Sequence, residues 1–190
     1  MMERIGEFLP FMLEGSVTTV QVFVITLVLS LPLGLPLALG SNSRFKPLSF
    51  LCKIYIWIFR GTPLMLQLWF FYFFFPFYFD ITLDAFTTAI VTYVLNYAAY
   101  FAEIYRGGIN SIDKGQYEAA YALGLSNRQT LFDIILPQTM KATLPPIVNE
   151  AITLVKDTAL VSALSVVDLM KATNSAVNRM TSLEPFFYAA

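Results

Sequence analysis

A long stretch without charged residues decides the fold class of this chain. Residues 15–43 read GSVTTVQVFVITLVLSLPLGLPLALGSNS, which is 29 residues without Asp, Glu, Lys or Arg. A helix that crosses the ~30 Å hydrocarbon core of a bilayer needs about 20 mostly apolar residues. Pro32 and Pro36 would break a helix in a soluble protein, but membrane helices tolerate proline where neighbours satisfy the freed backbone groups. The stretch therefore predicts a membrane-spanning helix.

Two further charge-free stretches lie at 61–79 and 85–102, and only 13% of the 190 residues are charged. Soluble domains have about 25% charged residues. The first stretch is not a signal peptide, because it follows Glu3, Glu7 and Glu14 and is longer than an h-region. We therefore predict an all-α, polytopic membrane protein. Its single transmembrane domain covers residues 1–190, with spans at about 15–41, 50–79, 84–106 and 140–166 and the start of a last span at 185–190.

Composition excludes several other classes of function. The net charge of −1 argues against a nucleic-acid-binding protein. The chain has no His, the usual general base and commonest metal ligand, and no metal site is predicted. The single cysteine, Cys52, excludes an intramolecular disulfide framework and a multi-cysteine zinc site. An enzyme therefore has little support in this sequence.

The fourth predicted span carries charged residues: Glu150, Lys156 and Asp157. A charge at membrane depth costs ~3 kcal/mol or more, so such residues normally face protein or a water-filled route. We predict that these three are gate or structural charges, and that Lys156 and Asp157 line the outer gate or pair with each other or with another subunit. The aromatic run from Trp69 to Phe79 is interpreted as lipid contact and an interfacial belt.

The distribution of Lys and Arg predicts the orientation in the membrane. The connection after the first span contains four basic residues: Arg44, Lys46, Lys53 and Arg60. The connection between the second and third spans contains none. The connection after the third span again contains four: Arg106, Lys114, Arg128 and Lys141. The first and third connections are thus predicted to be cytoplasmic, with the N-terminus outside.

The third connection, at about 107–137, has the features of a docking element. Residues 116–123 are good helix formers without Pro or Gly. Gly124 suits a helix C-terminal turn that needs a positive φ, and Ser126 suits the N-cap of a following helix. Two short helices joined by a tight turn are predicted, and the alternative is an ordinary amphipathic interfacial loop.

The spacing in this loop resembles the EAA signature of ATP-binding-cassette importer permeases. The matching residues are Glu118, Ala119, Ala120, Gly124, Ile134, Leu136 and Pro137. Three further stretches resemble the polar amino acid branch of that family: Arg60–Leu64 followed by Gln67, Tyr100–Gly107, and Lys156–Leu160. The resemblance covers roughly residues 15–188.

The resemblance implies a type I importer permease, normally with five spans, in the bacterial plasma membrane. The implied partners are a second permease subunit in a homo- or heterodimer, two cytoplasmic ATP-binding subunits and an extracellular substrate-binding protein. The implied substrate is a polar amino acid of the cystine, glutamine, arginine or histidine class. ATP and Mg would bind the partner subunits, and this chain, which has no Gly-x-x-x-x-Gly-Lys-Ser/Thr motif, is predicted to bind no cofactor. The alternatives are a permease for another small solute, a membrane scaffold or a passive channel.

Five residues of the loop are predicted to dock the ATP-binding subunit: Gln116, Glu118, Ala119, Ala120 and Gly124. An alternative for Glu118 is that it only satisfies backbone donors at a helix start.

Three polar residues at predicted membrane depth are candidates for substrate binding: Gln67, Asn96 and Glu103. At a rise of 1.5 Å per residue, Gln67 lies about 10 Å beyond Arg60, and Asn96 lies about 18 Å in from the outer side. Glu103 would bind an ammonium or guanidinium group, or would instead pair with Arg106 or Arg60. For Asn96 and Gln67 the alternative is hydrogen bonding between helices.

Overall fold

The structure is a computed structural model that describes residues 2–189, so the ends of the predicted 1–190 domain lie outside the described residues. Every regular element in the described range is helical. The helices are α1 (Met2–Ser41), α2 (Lys46–Gly61), α3 (Leu64–Trp69), α4 (Phe75–Phe79), α5 (Ala85–Ser111), α6 (Lys114–Ala122), α7 (Asn127–Gln129), α8 (Leu136–Asp157), α9 (Leu169–Met180) and α10 (Glu184–Ala189). Two π-helical turns, Phe70–Phe74 and Thr130–Ile135, and a 3-10 segment, Thr158–Leu164, join neighbouring helices.

Two helical segments among the described residues are long and apolar enough to cross a membrane, Phe8–Ser41 and Ala85–Ser111. A third is obtained if Lys46–Gly61 and Leu64–Phe79 form one broken span. These correspond to the predicted spans at 15–41, 84–106 and 50–79. The fourth span, at 140–166, stays a prediction, since α8 contains Pro145 and Pro146 and α-helical geometry ends at Asp157. α10 occupies the described part of the predicted last span.

Helix α1 continues through Pro32 and Pro36 without interruption. The break in the second predicted span occurs instead at Thr62 and Pro63, where the backbone of Pro63 is extended (φ −61°, ψ 133°). Proline lacks a backbone N–H and disfavours helical geometry in the residue before it. Pro63 therefore ends α2 and sets the start of α3.

The chain divides into two compact units, of which the first comprises 62–95, 152–189 and the residues up to Leu29. Within it, the start of α9 packs closely on α1. A Cβ on Gly15 would lie 2.7 Å from the carbonyl oxygen of Asp168, and the backbone N–H of Leu169 donates to Thr19 Oγ1 at 3.2 Å. The absence of a side chain at residue 15 is what permits this contact.

The second unit comprises 30–61 and 96–151. Its helices approach each other at glycines, as membrane helices commonly do. A Cβ added to Gly34 would lie 2.8 Å from Phe101 Cβ, and a Cβ added to Gly40 would lie 2.6 Å from Cys52 Sγ. On α5, a Cβ at Gly108 would overlap the methyl group of Thr143. The contacts at Gly34 and Gly108 fix the rotation of α5 about its axis within this unit. They thereby set the direction of the polar residues of α5 that are described next.

Candidate functional site

Helix α6 has a defined start that does not involve Glu118. Asp113 is the N-cap residue, and its side chain accepts a hydrogen bond from the backbone N–H of Gly115 at 2.6 Å. The backbone N–H of Gln116 donates to the carbonyl of Asp113 at 3.0 Å. Glu118 lies in the second turn and its side chain is exposed. The capping role considered for Glu118 is therefore filled by Asp113, which the sequence analysis did not single out.

The end of α6 is a tight turn centred on Gly124, which has φ +73°. The N–H of Leu125 donates to the carbonyl of Ala120, and the N–H of Gly124 donates to that of Tyr121, both at 3.0 Å. This pair of bonds is the Schellman motif, in which glycine occupies the left-handed position because it has no Cβ. The predicted glycine turn is confirmed.

The next helix starts immediately after the turn. Ser126 Oγ accepts from the N–H of Gln129, and Gln129 Oε1 accepts from the N–H of Ser126 at 3.0 Å. This reciprocal pair is a capping box and confirms the predicted cap. The loop between α5 and α8 is consequently well defined, with few conformations available to it.

The predicted docking residues differ in accessibility. Gln116, Glu118, Ala119 and Gly124 are exposed, whereas Ala120 is buried, with 1% of its surface accessible. Gln116 Oε1 also accepts from Gln138 Nε2 at 3.1 Å, which connects α6 to α8. The surface of α6 presents an acidic residue and small residues together with the large exposed side chains of Tyr117 and Tyr121, and exposed Leu123 follows as the C-cap.

A second candidate site is a cavity of about 550 Å³ in the second unit. It is lined by side chains of α1, α2 and α5: Ser41, Lys53, Ile56, Trp57, Arg60, Gly61, Tyr100, Glu103 and Arg106. Its volume is within the about 300–1,000 Å³ of ligand-binding pockets.

Glu103 in this cavity is held by arginine side chains. Arg106 Nε donates to Glu103 Oε2 at 2.8 Å, and Arg106 Nη2 donates to Oε1. Arg60 Nη1 lies 4.0 Å from Glu103 Oε1. The ion pair weighed as the alternative for Glu103 is thus present. A two-bonded arginine–carboxylate pair is among the stronger polar interactions in proteins.

The guanidinium of Arg60 lies over the ring of Tyr100, with its Cζ 5.2 Å from the ring centroid. Tyr100 is three residues before Glu103, and Glu103 is three before Arg106, so the three share one face of α5. Arg60 is named above among the basic residues of the first connection, in a stretch that resembles the family and as an alternative partner of Glu103, but its stacking on Tyr100 is not among those predictions.

The two candidate amides bond to the backbone beside the break at Pro63. Asn96 Nδ2 donates to the carbonyl of Phe59 at 2.9 Å. In the first unit, Gln67 Nε2 donates to the carbonyl of Thr62 at 3.0 Å and to its Oγ1 at 2.8 Å. Both amides are buried, and their substrate role stays a prediction.

The charged residues of the fourth predicted span belong to different units. Glu150 is half-buried in the second unit, on α8. Lys156 is exposed and Asp157 half-buried in the first unit, where α8 ends. The carbonyl of Asp157 accepts a hydrogen bond from the hydroxyl of Tyr93. Their assignment as gate charges stays a prediction.

The helical fold and the capped loop between α5 and α8 are consistent with a membrane component of a transport system. A family model for the binding-protein-dependent transport system inner membrane component matches residues 30–190, and the chain belongs to that family. It is therefore embedded in the membrane and is a transport subunit rather than an enzyme, as predicted.

Relatives of known description support this assignment. The arginine transport system permease protein ArtQ of Bacillus subtilis (strain 168) is 42% identical over 182 residues, which cover 95% of this chain and 83% of the relative. The putative glutamine transport system permease protein GlnP of Rickettsia felis is 37% identical over 194 residues, covering 100% of this chain and 89% of the relative. The L-cystine transport system permease protein TcyB of Bacillus subtilis is 38% identical, covering 86% of this chain and 70% of the relative.

Solved structures confirm the predicted all-α permease fold. A crystal structure of an amino acid ABC transporter with histidines matches with a TM-score of 0.89 and 31% identity, over 97% of this chain and 86% of the other. An inward-facing structure of the MetNI methionine ABC transporter matches with a TM-score of 0.73 over 94% of this chain and 93% of the other. At 18% identity, this second likeness concerns the fold alone.

Proposed function

We propose that this chain is the permease subunit of an ATP-driven importer that moves a polar amino acid into the cell by alternating access. The observation that carries the proposal is the exposed α6 helix, closed by the Gly124 turn, in a chain of the transport family. The relatives are described as permeases for arginine, glutamine and cystine. All three substrates are polar amino acids.

The proposed docking surface is formed by Gln116, Glu118, Ala119, Ala120 and Gly124. The exposed members contact an ATP-binding subunit, while buried Ala120 fixes α6 to the rest of its unit. Closure of two such subunits on ATP and Mg would move the loops as rigid bodies, and with them the membrane helices. Rigidity is required here, because a flexible loop would absorb the displacement.

The partners proposed beyond the two ATP-binding subunits are a second permease subunit and an extracellular substrate-binding protein. The chain is placed in the bacterial plasma membrane with its N-terminus outside and the α6 loop in the cytoplasm. The distribution of Lys and Arg among the connections supports this orientation.

The substrate is proposed to bind near Gln67, Asn96 and Glu103, with Glu150, Lys156 and Asp157 as gate or structural charges. Support comes from the burial of the two amides and from the cavity beside Glu103. A polar solute needs such groups at membrane depth, where polar residues are otherwise rare.

The test is substrate-stimulated ATP hydrolysis and uptake by the complete complex in proteoliposomes, with its binding protein and a panel of L-arginine, L-glutamine, L-cystine, L-histidine and L-glutamate. We expect one or a few of these to stimulate hydrolysis severalfold and to accumulate only with ATP. Flux without ATP, or stimulation by none of the panel, would overturn the proposal.

A further inference from the structure

The cavity between α2 and α5 has an excess of positive charge. Three basic side chains line it, Lys53, Arg60 and Arg106, together with one acidic side chain, Glu103. Glu103 was proposed to bind a cationic group of the substrate. The cavity as a whole is instead suited to a ligand that carries a carboxylate.

The carboxylate of Glu103 is already matched by Arg106, which donates to both of its oxygens. Arg60 is in a different position. Its nearest nitrogen is 4.0 Å from Glu103, which is beyond hydrogen-bond distance. The guanidinium has five N–H donors in a rigid planar fork, so Arg60 retains donors for a further acceptor.

The orientation of Arg60 is fixed by its surroundings. Its guanidinium carbon lies over the ring of Tyr100, within the about 6 Å at which an aromatic ring attracts a cation. The residue before it, Phe59, is held by Asn96 through the bond to its carbonyl. The Arg60 side chain is 40% exposed, so a ligand in the cavity can reach it.

We propose that Arg60 binds the α-carboxylate of the amino acid substrate in this cavity, with Tyr100 and Glu103 as residues that position its guanidinium. This inference rests on the proposed function and deepens it by naming the group that recognises the part common to all amino acids. An arginine fork binds a carboxylate through two parallel hydrogen bonds. Side-chain selectivity is then left to other residues.

The experiment measures equilibrium binding of radiolabelled L-arginine, L-glutamine, L-cystine and L-glutamate to the purified complex without the binding protein. The variants are Arg60→Gln and Arg60→Lys, and Lys46→Gln is the matched control, since it removes one exposed positive charge from the same helix outside the lining of the cavity. We expect Arg60→Gln to weaken binding of the cognate amino acid by about tenfold to a hundredfold, the usual effect of losing a charged hydrogen bond. Arg60→Lys should lie in between, and Lys46→Gln should stay within about threefold.

A second measurement identifies the ligand group. The cognate amino acid with its α-carboxylate converted to a carboxamide should compete poorly with the label in the wild type, and the discrimination should shrink in Arg60→Gln. Size-exclusion chromatography of each complex verifies assembly.

Wild-type binding by Arg60→Gln, or equal losses in Arg60→Gln and Lys46→Gln, would overturn this inference alone and leave the importer proposal standing. If the wild-type complex neither binds nor is stimulated by any amino acid of the panel, both proposals fail. If the Arg60→Gln complex does not assemble, Arg60→Lys is used in its place. A ratio of affinities for the amino acid and its carboxamide that is unchanged in Arg60→Lys would also overturn the assignment.

Discussion

The side-chain amide nitrogen of Asn96 lies 2.9 Å from the carbonyl oxygen of Phe59. In a continuous helix this carbonyl would accept from the N–H four residues later, but that residue is Pro63, which has none. A donor from α5 therefore serves a backbone acceptor at the end of α2. The same contact orients the neighbouring Arg60.

Replacing Asn96 tests this relationship directly. Asn96→Leu keeps the approximate volume but removes the buried amide donor, so the carbonyl of half-buried Phe59 loses this hydrogen bond. We expect a loss of about 1–3 kcal/mol in the free energy of unfolding, measured by thermal unfolding of the purified protein in detergent. Asn110→Leu on the same helix is the control, because the side chain of Asn110 accepts an exposed hydrogen bond from Asn42; its substitution should cost less than about 0.5 kcal/mol.

A double substitution sharpens the result. Pro63→Ala restores a backbone N–H at the position that serves the carbonyl of Phe59 in a continuous helix, so the loss caused by Asn96→Leu should be smaller in that background. A stable Asn96→Leu protein with impaired substrate binding would contradict the structural role and favour the substrate role.

The close approach of α5 and α8 predicts opposite effects at two adjacent glycines. A methyl group at Gly108 would overlap Thr143, whose rotamer is held by a bond from its hydroxyl to the carbonyl of Thr139 at 2.9 Å. Gly108→Ala should therefore destabilise the protein by about 1–3 kcal/mol. Gly107 has nothing within 4 Å of an added Cβ, so Gly107→Ala should stabilise it by up to about 1 kcal/mol.

The measurement is the midpoint of thermal unfolding for the two variants and the wild type under identical detergent conditions. A Gly108→Ala protein as stable as the Gly107→Ala protein would contradict the packing of α5 on α8.

The sequence predicts those features that depend on neighbouring residues. The charge-free stretch at 15–43 predicts α1, and the turn at Gly124 with the cap at Ser126 follows from local backbone chemistry. Residues 60–67 show the limit of this reasoning. Proline inside an apolar run is compatible with either a continuous or a broken membrane helix, and only packing decides that α1 continues through Pro36 while the helical path breaks at Pro63.

The cavity beside Glu103 also depends on packing between helices and is not predictable from neighbouring residues. The stacking of Arg60 on Tyr100 joins residues 40 positions apart in different helices, and spacing along one helix does not specify which helices pack together. The Glu103–Arg106 pair is local and was weighed as an alternative. Its consequence, that Arg60 rather than Glu103 offers its charge to a ligand, required the distances.

The Gly124 turn predicts a coupling defect. Gly124→Val places a β-branched side chain at a left-handed position, which such residues strongly disfavour. We expect ATP hydrolysis to become insensitive to substrate and uptake to fall at least tenfold, with the complex still in the membrane. Gly124→Asn is the matched control, because asparagine tolerates this conformation, and it should retain most uptake.

Uptake and hydrolysis by both variants are measured in proteoliposomes with the complete complex. Full uptake by the Gly124→Val complex would exclude a coupling role for the turn.

Asp168 gives a prediction for the dependence of stability on pH. It is the N-cap of α9, outside the predicted spans, and its Oδ1 accepts from the N–H of Lys171 at 2.9 Å. Its Oδ2 is buried and has no hydrogen-bond partner within the described residues. Burial raises the pKa of Asp168 above its ordinary value of 3.8, and the charged side chain of Lys171 opposes the shift only weakly.

An acid whose pKa is raised by folding contributes stability below its ordinary pKa and loses that contribution as the pH rises through the higher value. Wild-type stability should therefore fall as the pH rises from about 4 towards neutrality through this group. Asp168→Asn keeps a side-chain oxygen for the cap and removes the titration, so the variant should match the wild type near pH 4 and unfold at a higher temperature at pH 8.

Asp168→Ala is the control for the cap itself and should be about 1 kcal/mol less stable than Asp168→Asn at both pH values. The measurement is the unfolding temperature of the wild type and of both variants at pH 4 to 8, which tests whether Asp168 titrates above its ordinary pKa. The contrary result is an unfolding temperature of the wild type that rises above that of Asp168→Asn as the pH increases. It would mean that the surroundings stabilise the ionised carboxylate, although its Oδ2 is buried without a hydrogen-bond partner among the described residues.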